Sequence, residues 1–155
     1  VFSVTPTDVA RVAQLTQKTN QFNLTTRRYS EADISRFLDD PSFDVFAARV
    51  TDRFGDSGII AVAIVEIKDT KARLDTFLMS CRVIGKTIET GILSIIADGL
   101  EAKGVTTLVG HFIASAKNSP ASSFLADHGF KEDKDLGWQI KLPAASLQVP
   151  DWFKA

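Results

Sequence analysis

Apolar residues recur at Val9, Val12 and Ala13, with Thr16 continuing the same face. That three-and-four spacing predicts an amphipathic helix. Thr5-Pro6-Thr7-Asp8 supplies its start, with Thr5 as N-cap, Pro6 in the first turn and Asp8 favouring the helix dipole. Residues 20–29 are polar without a period and read as a loop. Ser30-Glu31-Ala32-Asp33 has the form of a capping box, followed by the short apolar face of Ile34, Phe37 and Leu38 and closed by Pro41.

The pattern then changes period. Residues 43–51 carry β-favouring side chains with partial alternation, and residues 58–67 are almost continuously apolar, as in a strand covered on both faces. Residues 73–80 form a third strand, and the short turn-rich connections at 52–56 and 68–71 predict antiparallel hairpins. Ile88, Ile92, Ile95, Ile96 and Gly99 return to helical spacing, with Gly104 as the stop. Residues 105–112 read as the next strand, and such a strand-helix-strand unit is expected to be parallel and right-handed. A last helix has Ser119 as N-cap, Pro120 at its first position, Phe124, Leu125 and His128 inside and Gly129 at its end; residues 138–142 close the fold as a strand. The order is ααβββαβαβ, an α/β sheet of mixed direction.

Strand 73–80 runs into the loop Arg82-x-x-Gly85-x-Thr87 and then directly into a helix. A helix N-terminus leaves amides unpaired at the positive end of the dipole, which favours an anion. Gly85 lets the main chain approach a phosphate without a side chain between them. The competing reading is an ordinary strand-loop-helix connection.

Length and charge narrow the field. One domain accounts for 155 residues. The formal net charge is −1 with both signs interspersed, so no basic stripe points to nucleic acid. No apolar run reaches membrane-spanning length and no signal-peptide pattern opens the chain. The single cysteine, Cys81, excludes an internal disulfide and fits a cytoplasmic setting. His111 and His128 have no ligand-like spacing with Cys81 or a carboxylate pair, so no metal site is expected. Met79 is the only methionine and residue 1 is valine, so the chain is expected to be one domain excised from a longer protein.

The element order, the Arg82-x-x-Gly85-x-Thr87 loop and the later Asn118 … His128-Gly129-Phe130 resemble the GNAT acyltransferase superfamily. The run from Val12 through Thr19-Asn20-Gln21-Phe22-Asn23 to Arg27-Arg28-Tyr29, together with Asp52-Arg53-Phe54-Gly55-Asp56, residues 75–82 and Ala116-Lys117-Asn118, resembles more closely the C-terminal domain of FkbH-like proteins. These blocks cover most of residues 9–130. The resemblance implies a GNAT-like fold whose central sheet splays into a V-shaped cleft between the strand ending near Ser80 and the strand 105–112. It implies CoA or acyl-CoA, or the phosphopantetheine of a carrier protein, lying in that cleft with its phosphate on the loop. It also implies an upstream HAD-like domain and an acyl carrier protein as partners, in glyceryl loading for polyketide assembly. Two readings follow: an acyltransferase, or a non-catalytic module that docks phosphopantetheine or its carrier.

Under this resemblance Leu78, Ser80, Cys81, Arg82, Val83, Gly85, Lys86, Thr87 and Asn118 are the cofactor-binding set. Thr87 departs from the usual small residue, and its β-branch crowds the loop. Asp75 stands where a carboxylate faces substrate: either a general base or a strand-end partner for an arginine. Main-chain amides of residues 78–80 would steady an oxyanion. Asn20, Asn23, Thr26 and Arg27 are candidates for substrate contact, against the plainer reading of a hydrogen-bonded surface loop. Leu125 replaces the tyrosine that often protonates the leaving thiolate, and leucine carries no proton to give. Cys81 is expected to be a buried structural residue rather than a thioester nucleophile.

Overall fold

In the computed structural model, residues 1–85 and 87–153 are described. The predicted helices form α1 (Val9–Lys18), α2 (Glu31–Asp39), α3 (Ile88–Ala102) and a short α4 (Phe124–Asp127). The strands are β1 (Phe2–Ser3), β2 (Phe22–Asn23), β3 (Phe43–Asp52), β4 (Gly55–Lys68), β5 (Lys71–Met79), β6 (Thr107–Gly110), β7 (Lys131–Asp133) and β8 (Gly137–Lys141). They make one sheet in the order β1-β3-β4-β5-β6-β8-β7, with β2 attached to β5. The β3–β4 and β4–β5 pairs are antiparallel hairpins, and β5 and β6 are parallel across the α3 crossover, as the pattern predicts.

Capping sets the ends of the first two helices. Thr5 and Asp8 form a reciprocal box ahead of α1, and Ser30 and Asp33 form another at α2, where the Ser30 hydroxyl accepts from the Asp33 amide at 3.1 Å. α1 and α2 bury Val12, Leu15 and Ile34 against Val45, Val62 and Ile64 on one face of the sheet. α3 and α4 cover the other face, burying Leu93, Ile96, Leu100 and Phe124 over Leu74, Phe77 and Leu108.

Several expectations change. Of the predicted stripe of α3, Ile88, Ile92 and Ile96 are buried, Ile95 is half-buried and Gly99 is exposed; Leu93, Ala97 and Leu100 complete the buried face. The last helix is a single 3-10 turn, Ser119–Ala121, with Asn118 rather than Ser119 before it, followed by the one-turn α4. The closing strand is a β7–β8 hairpin. The loop 20–29 contains β2, which no alternation announces.

The sheet splays where expected. β5 and β6 pair from Lys71↔Thr107 only as far as Leu74↔Gly110. In the β4–β5 ladder Ile64 faces Thr76 while Val65 faces Leu74, leaving Asp75 as the extra residue of a bulge. A bulge bends its strand and sharpens the local twist, and beyond it β5 and β6 part.

The opening is not left to a ligand. β2 pairs antiparallel with β5 through Phe22↔Met79 and Asn23↔Leu78. The Leu24 amide donates to the Phe77 carbonyl at 3.1 Å, and the Leu24 carbonyl accepts from the Ile113 amide at 2.9 Å. The Thr25 hydroxyl donates to the Asp75 carbonyl at 2.9 Å. Residues 22–25 thus bridge both arms of the V, and all four are buried. Asn118, fully buried, locks them: its Nδ2 donates to the carbonyls of Asn23 and Ile113, each at 2.9 Å.

Replacing Asn118 with Ala strands those two carbonyls in a buried setting. We expect a loss of about 2 to 3 kcal/mol of stability in urea denaturation, with β2 and the 113–118 loop losing amide hydrogen-exchange protection first.

Candidate functional site: a splayed sheet closed by its own chain

The cofactor-binding set divides in two. Leu78 is fully buried, and its main chain faces Val62 of β4 on one edge and Asn23 of β2 on the other. The Ser80 amide is spent on the Ile60 carbonyl at 2.7 Å, and the Val83 amide on the Ser80 carbonyl at 3.1 Å. Residues 78–80 therefore offer no oxyanion hole, because both edges of β5 are already paired. Asn118 is likewise turned to the chain's own carbonyls rather than to a cofactor.

The outer half of the loop keeps the expected form. A 3-10 turn spans Cys81–Val83, with Arg82 exposed. Gly85 has a positive φ of 82°, and its amide has no hydrogen-bond partner among the described residues. Thr87 precedes α3 with φ 58°. Lys86 lies outside the described residues. A β-branched residue in the left-handed region is strained, which explains why a small residue suits this position.

Cys81 is a correction: it is exposed, not buried. It lines a cavity of about 370 Å3 between α1 and the loop, with Arg11, Lys18, Asn20, Gln21 and Ser80. Leu15 and Met79 form its apolar floor.

Asp75 follows the ion-pair alternative. Its side chain is 5% exposed and its Oδ1 is paired with Arg27, with Arg73 at 3.6 Å. Its Oδ2 accepts from the Tyr29 hydroxyl at 2.6 Å and from the Thr76 hydroxyl at 3.0 Å. Every oxygen is engaged, so the carboxylate ties the loop to the sheet and is not presented to a substrate. Arg73 is also paired with Glu66. Burial, and then the hydrogen bond to Asp75, push the Tyr29 hydroxyl up to about 12. His111, half-buried across Gly137, is shifted down by burial and by Arg73 and Arg27, which favours its neutral form.

The other loop candidates are mostly structural. The Asn23 side chain donates to the Thr19 carbonyl and accepts from the Thr26 amide, so it shapes the turn. Arg28 caps α1, donating to the carbonyls of Thr16 and Thr19 and to Asn20. Asn20 and Thr26 reach a second cavity, of about 310 Å3, with Arg28, Ser115 and Lys117. Leu125 is buried against Gly110, where an added Cβ would meet its Cδ2 at 2.7 Å, so no acid stands there. Tyr29, Thr25 and Phe22 carry roles that no spacing signalled. Among the described residues no cluster of ligating side chains could hold a metal, and no helix is long and apolar enough to cross a membrane.

The bulged, splayed sheet with helices on both faces is the fold of the GNAT acetyltransferases. The chain is similar to the GNAT domain of S. lividans PAT, with 15% identity over 91% of this chain and 89% of that one, at a TM-score of 0.69. It is also similar to a ribosomal-protein alanine N-acetyltransferase from Escherichia coli (19% identity, 90% and 88% covered, TM-score 0.63). A third likeness is to an aminoglycoside acetyltransferase in complex with coenzyme A (15% identity, 91% and 93% covered, TM-score 0.64). No family model matches the sequence. No curated protein matches it either.

Two measurements probe this geometry. Gly85→Ala places a β-carbon on a residue with φ 82° and is expected to destabilise the fold by about 1 kcal/mol in chemical denaturation. Tyr29 is the only tyrosine, so tyrosinate absorbance titrates it alone. Its midpoint is expected near 12 in the native protein, against 10.0 for the free group, and lower in Asp75→Asn. Because the folded value is the higher one, this group's contribution to stability is complete below pH 10 and is lost as pH rises towards 12.

Proposed function

We propose that this domain is a GNAT-fold recognition module that holds the phosphopantetheine arm of a carrier protein, or CoA itself, by its phosphate at the mouth of the sheet. The reading belongs to the FkbH-like resemblance, in which an upstream HAD-like domain performs the loading chemistry on an acyl carrier protein. Acyl transfer inside the crevice is not part of the proposal.

The observation that carries it is the occupation of the β5 edge by residues 22–25. An extended arm entering the crevice would need the same main-chain groups that Phe22, Asn23 and Leu24 already use. Phe22 adds bulk there, edge-on to Phe124 at 5.4 Å and to Phe77 at 6.2 Å. The phosphate loop lies outside this plug. Arg82, the Gly85 amide and the first turn of α3 remain directed to an anion, by the helix dipole and by charge-assisted hydrogen bonding. An arm held there has the cavity beside Ser80 and Cys81 open to it instead of the crevice. The absence of a proton donor at Leu125 and the full engagement of Asp75 agree with a binding role.

Calorimetry with CoA and with pantetheine lacking the phosphate tests the reading. CoA is expected to bind, pantetheine to bind at least about tenfold more weakly, and Arg82→Ala to lose about tenfold in CoA affinity. Turnover of acetyl-CoA that disappears in Asp75→Ala would make the domain a transferase and refute the proposal.

A further inference from the structure

The cavity beside Cys81 and the cavity beside Thr26 share Asn20, so they form one surface around the mouth of the closed crevice. Their linings contain Arg11, Lys18, Arg28 and Lys117 and no aspartate or glutamate. Arg82 extends the same rim on the phosphate loop. All five are exposed, and none of them forms an ion pair among the described residues. Elsewhere Arg27, Arg36, Arg49, Arg73 and Lys103 have carboxylate partners, whereas Arg53, Lys68, Lys71, Lys131, Lys134 and Lys141 have none among the described residues; the rim is distinguished by five such cations gathered around two adjoining recesses. α1 itself carries Arg11 and Lys18 and no acidic residue.

This clustering occurs in a chain with slightly more acids than bases, 19 against 18. Arg11 and Lys18 lie seven residues apart, two turns of α1, and so project from one side of the helix about 10 Å apart along its axis. Arg28 is fixed by its bonds to the α1 carbonyls, which orient its guanidinium without neutralising it. Unpaired, exposed charges of one sign, arranged round a recess, attract and orient an oppositely charged surface.

We infer that this acid-free rim is the docking surface for a carrier protein with an acidic face, which the rim cations orient so that its phosphate-linked arm reaches the Arg82–Gly85 loop. The inference deepens the phosphopantetheine reading and rests on it. The partner's acidic side chains face Arg11, Lys18 and Lys117. Its phosphodiester falls to Arg82 and the loop amides.

The test compares this chain with Arg11→Glu/Lys18→Glu and, separately, Lys117→Glu. Binding of holo and apo acyl carrier protein, CoA and a DNA duplex is measured at low and high salt, with circular dichroism confirming the fold. Holo carrier is expected to bind more tightly than apo, both weakening steeply with salt. Lys117→Glu, which lies outside the cavity beside Cys81, is expected to cost several-fold in affinity for both carriers while leaving CoA affinity within about twofold; the double reversal, at that cavity, is expected to cost both carriers about tenfold or more and to weaken CoA less than it weakens the carriers. Equal binding of holo carrier to the wild-type and reversed chains would overturn the docking surface and leave the phosphate reading standing. CoA binding with no carrier binding would do the same. Tighter binding of the DNA duplex than of the carrier would overturn the choice of partner. Failure of both CoA and holo carrier to bind wild-type protein would remove the phosphopantetheine reading, and this inference with it.

Discussion

The open edge of β5 beyond its bulge governs the rest of the molecule. β4 pairs with one edge along the whole strand, whereas β6 takes the other only as far as Leu74. The remaining main-chain groups lie among Phe77, Met79 and Phe124, where an unpaired amide or carbonyl is costly. Residues 22–25 meet that demand, and in doing so convert a polar connection into an ordered part of the sheet. The same insertion delivers Arg27 and Tyr29 to Asp75 and gives Asn118 its two carbonyls.

Asp75 connects the bulge to the electrostatics. It is the residue displaced from the β4–β5 ladder, and its carboxylate gathers two arginines, a tyrosine and a threonine. Removing one partner of such a buried cluster leaves charge unbalanced in a poorly hydrated place. On this side of the sheet Arg27 and Arg73 are therefore committed to the protein's own acids. On the other side of the mouth, along α1 and the phosphate loop, the cations face solvent without acids.

Closing the crevice also separates two features that the fold commonly presents together. The helix N-terminus and glycine loop depend only on the β5–α3 connection. A channel for an extended arm depends on β5 and β6 parting with nothing between them. Here the first is kept while the second is occupied by β2. A phosphate contact at the surface and a recess under α1 are compatible with this arrangement, whereas an arm threaded along β5 needs residues 22–25 to leave.

Short-range signals along the chain set the local elements and their succession. The three-and-four spacing of Val9, Val12 and Ala13, the boxes at Thr5 and Ser30, the turn-rich hairpins and the Gly85–Thr87 entry to α3 are all short-range signals, and each maps onto an observed element. The splay between β5 and β6 came only from the resemblance to the GNAT superfamily, which the order of those elements helps to carry. The fate of the splay was not legible. Phe22, Asn23, Leu24 and Thr25 have no period of their own, and their partners at Phe77, Ile113 and Asn118 lie more than fifty residues away. Exposure of Cys81 and engagement of Asp75 are equally non-local, since each depends on where α1 and the loop after it come to rest. Periodicity reports what a segment can bury. Which groups it hydrogen-bonds to, and hence whether a cleft stays open, is decided only when distant segments compete for the same strand edge.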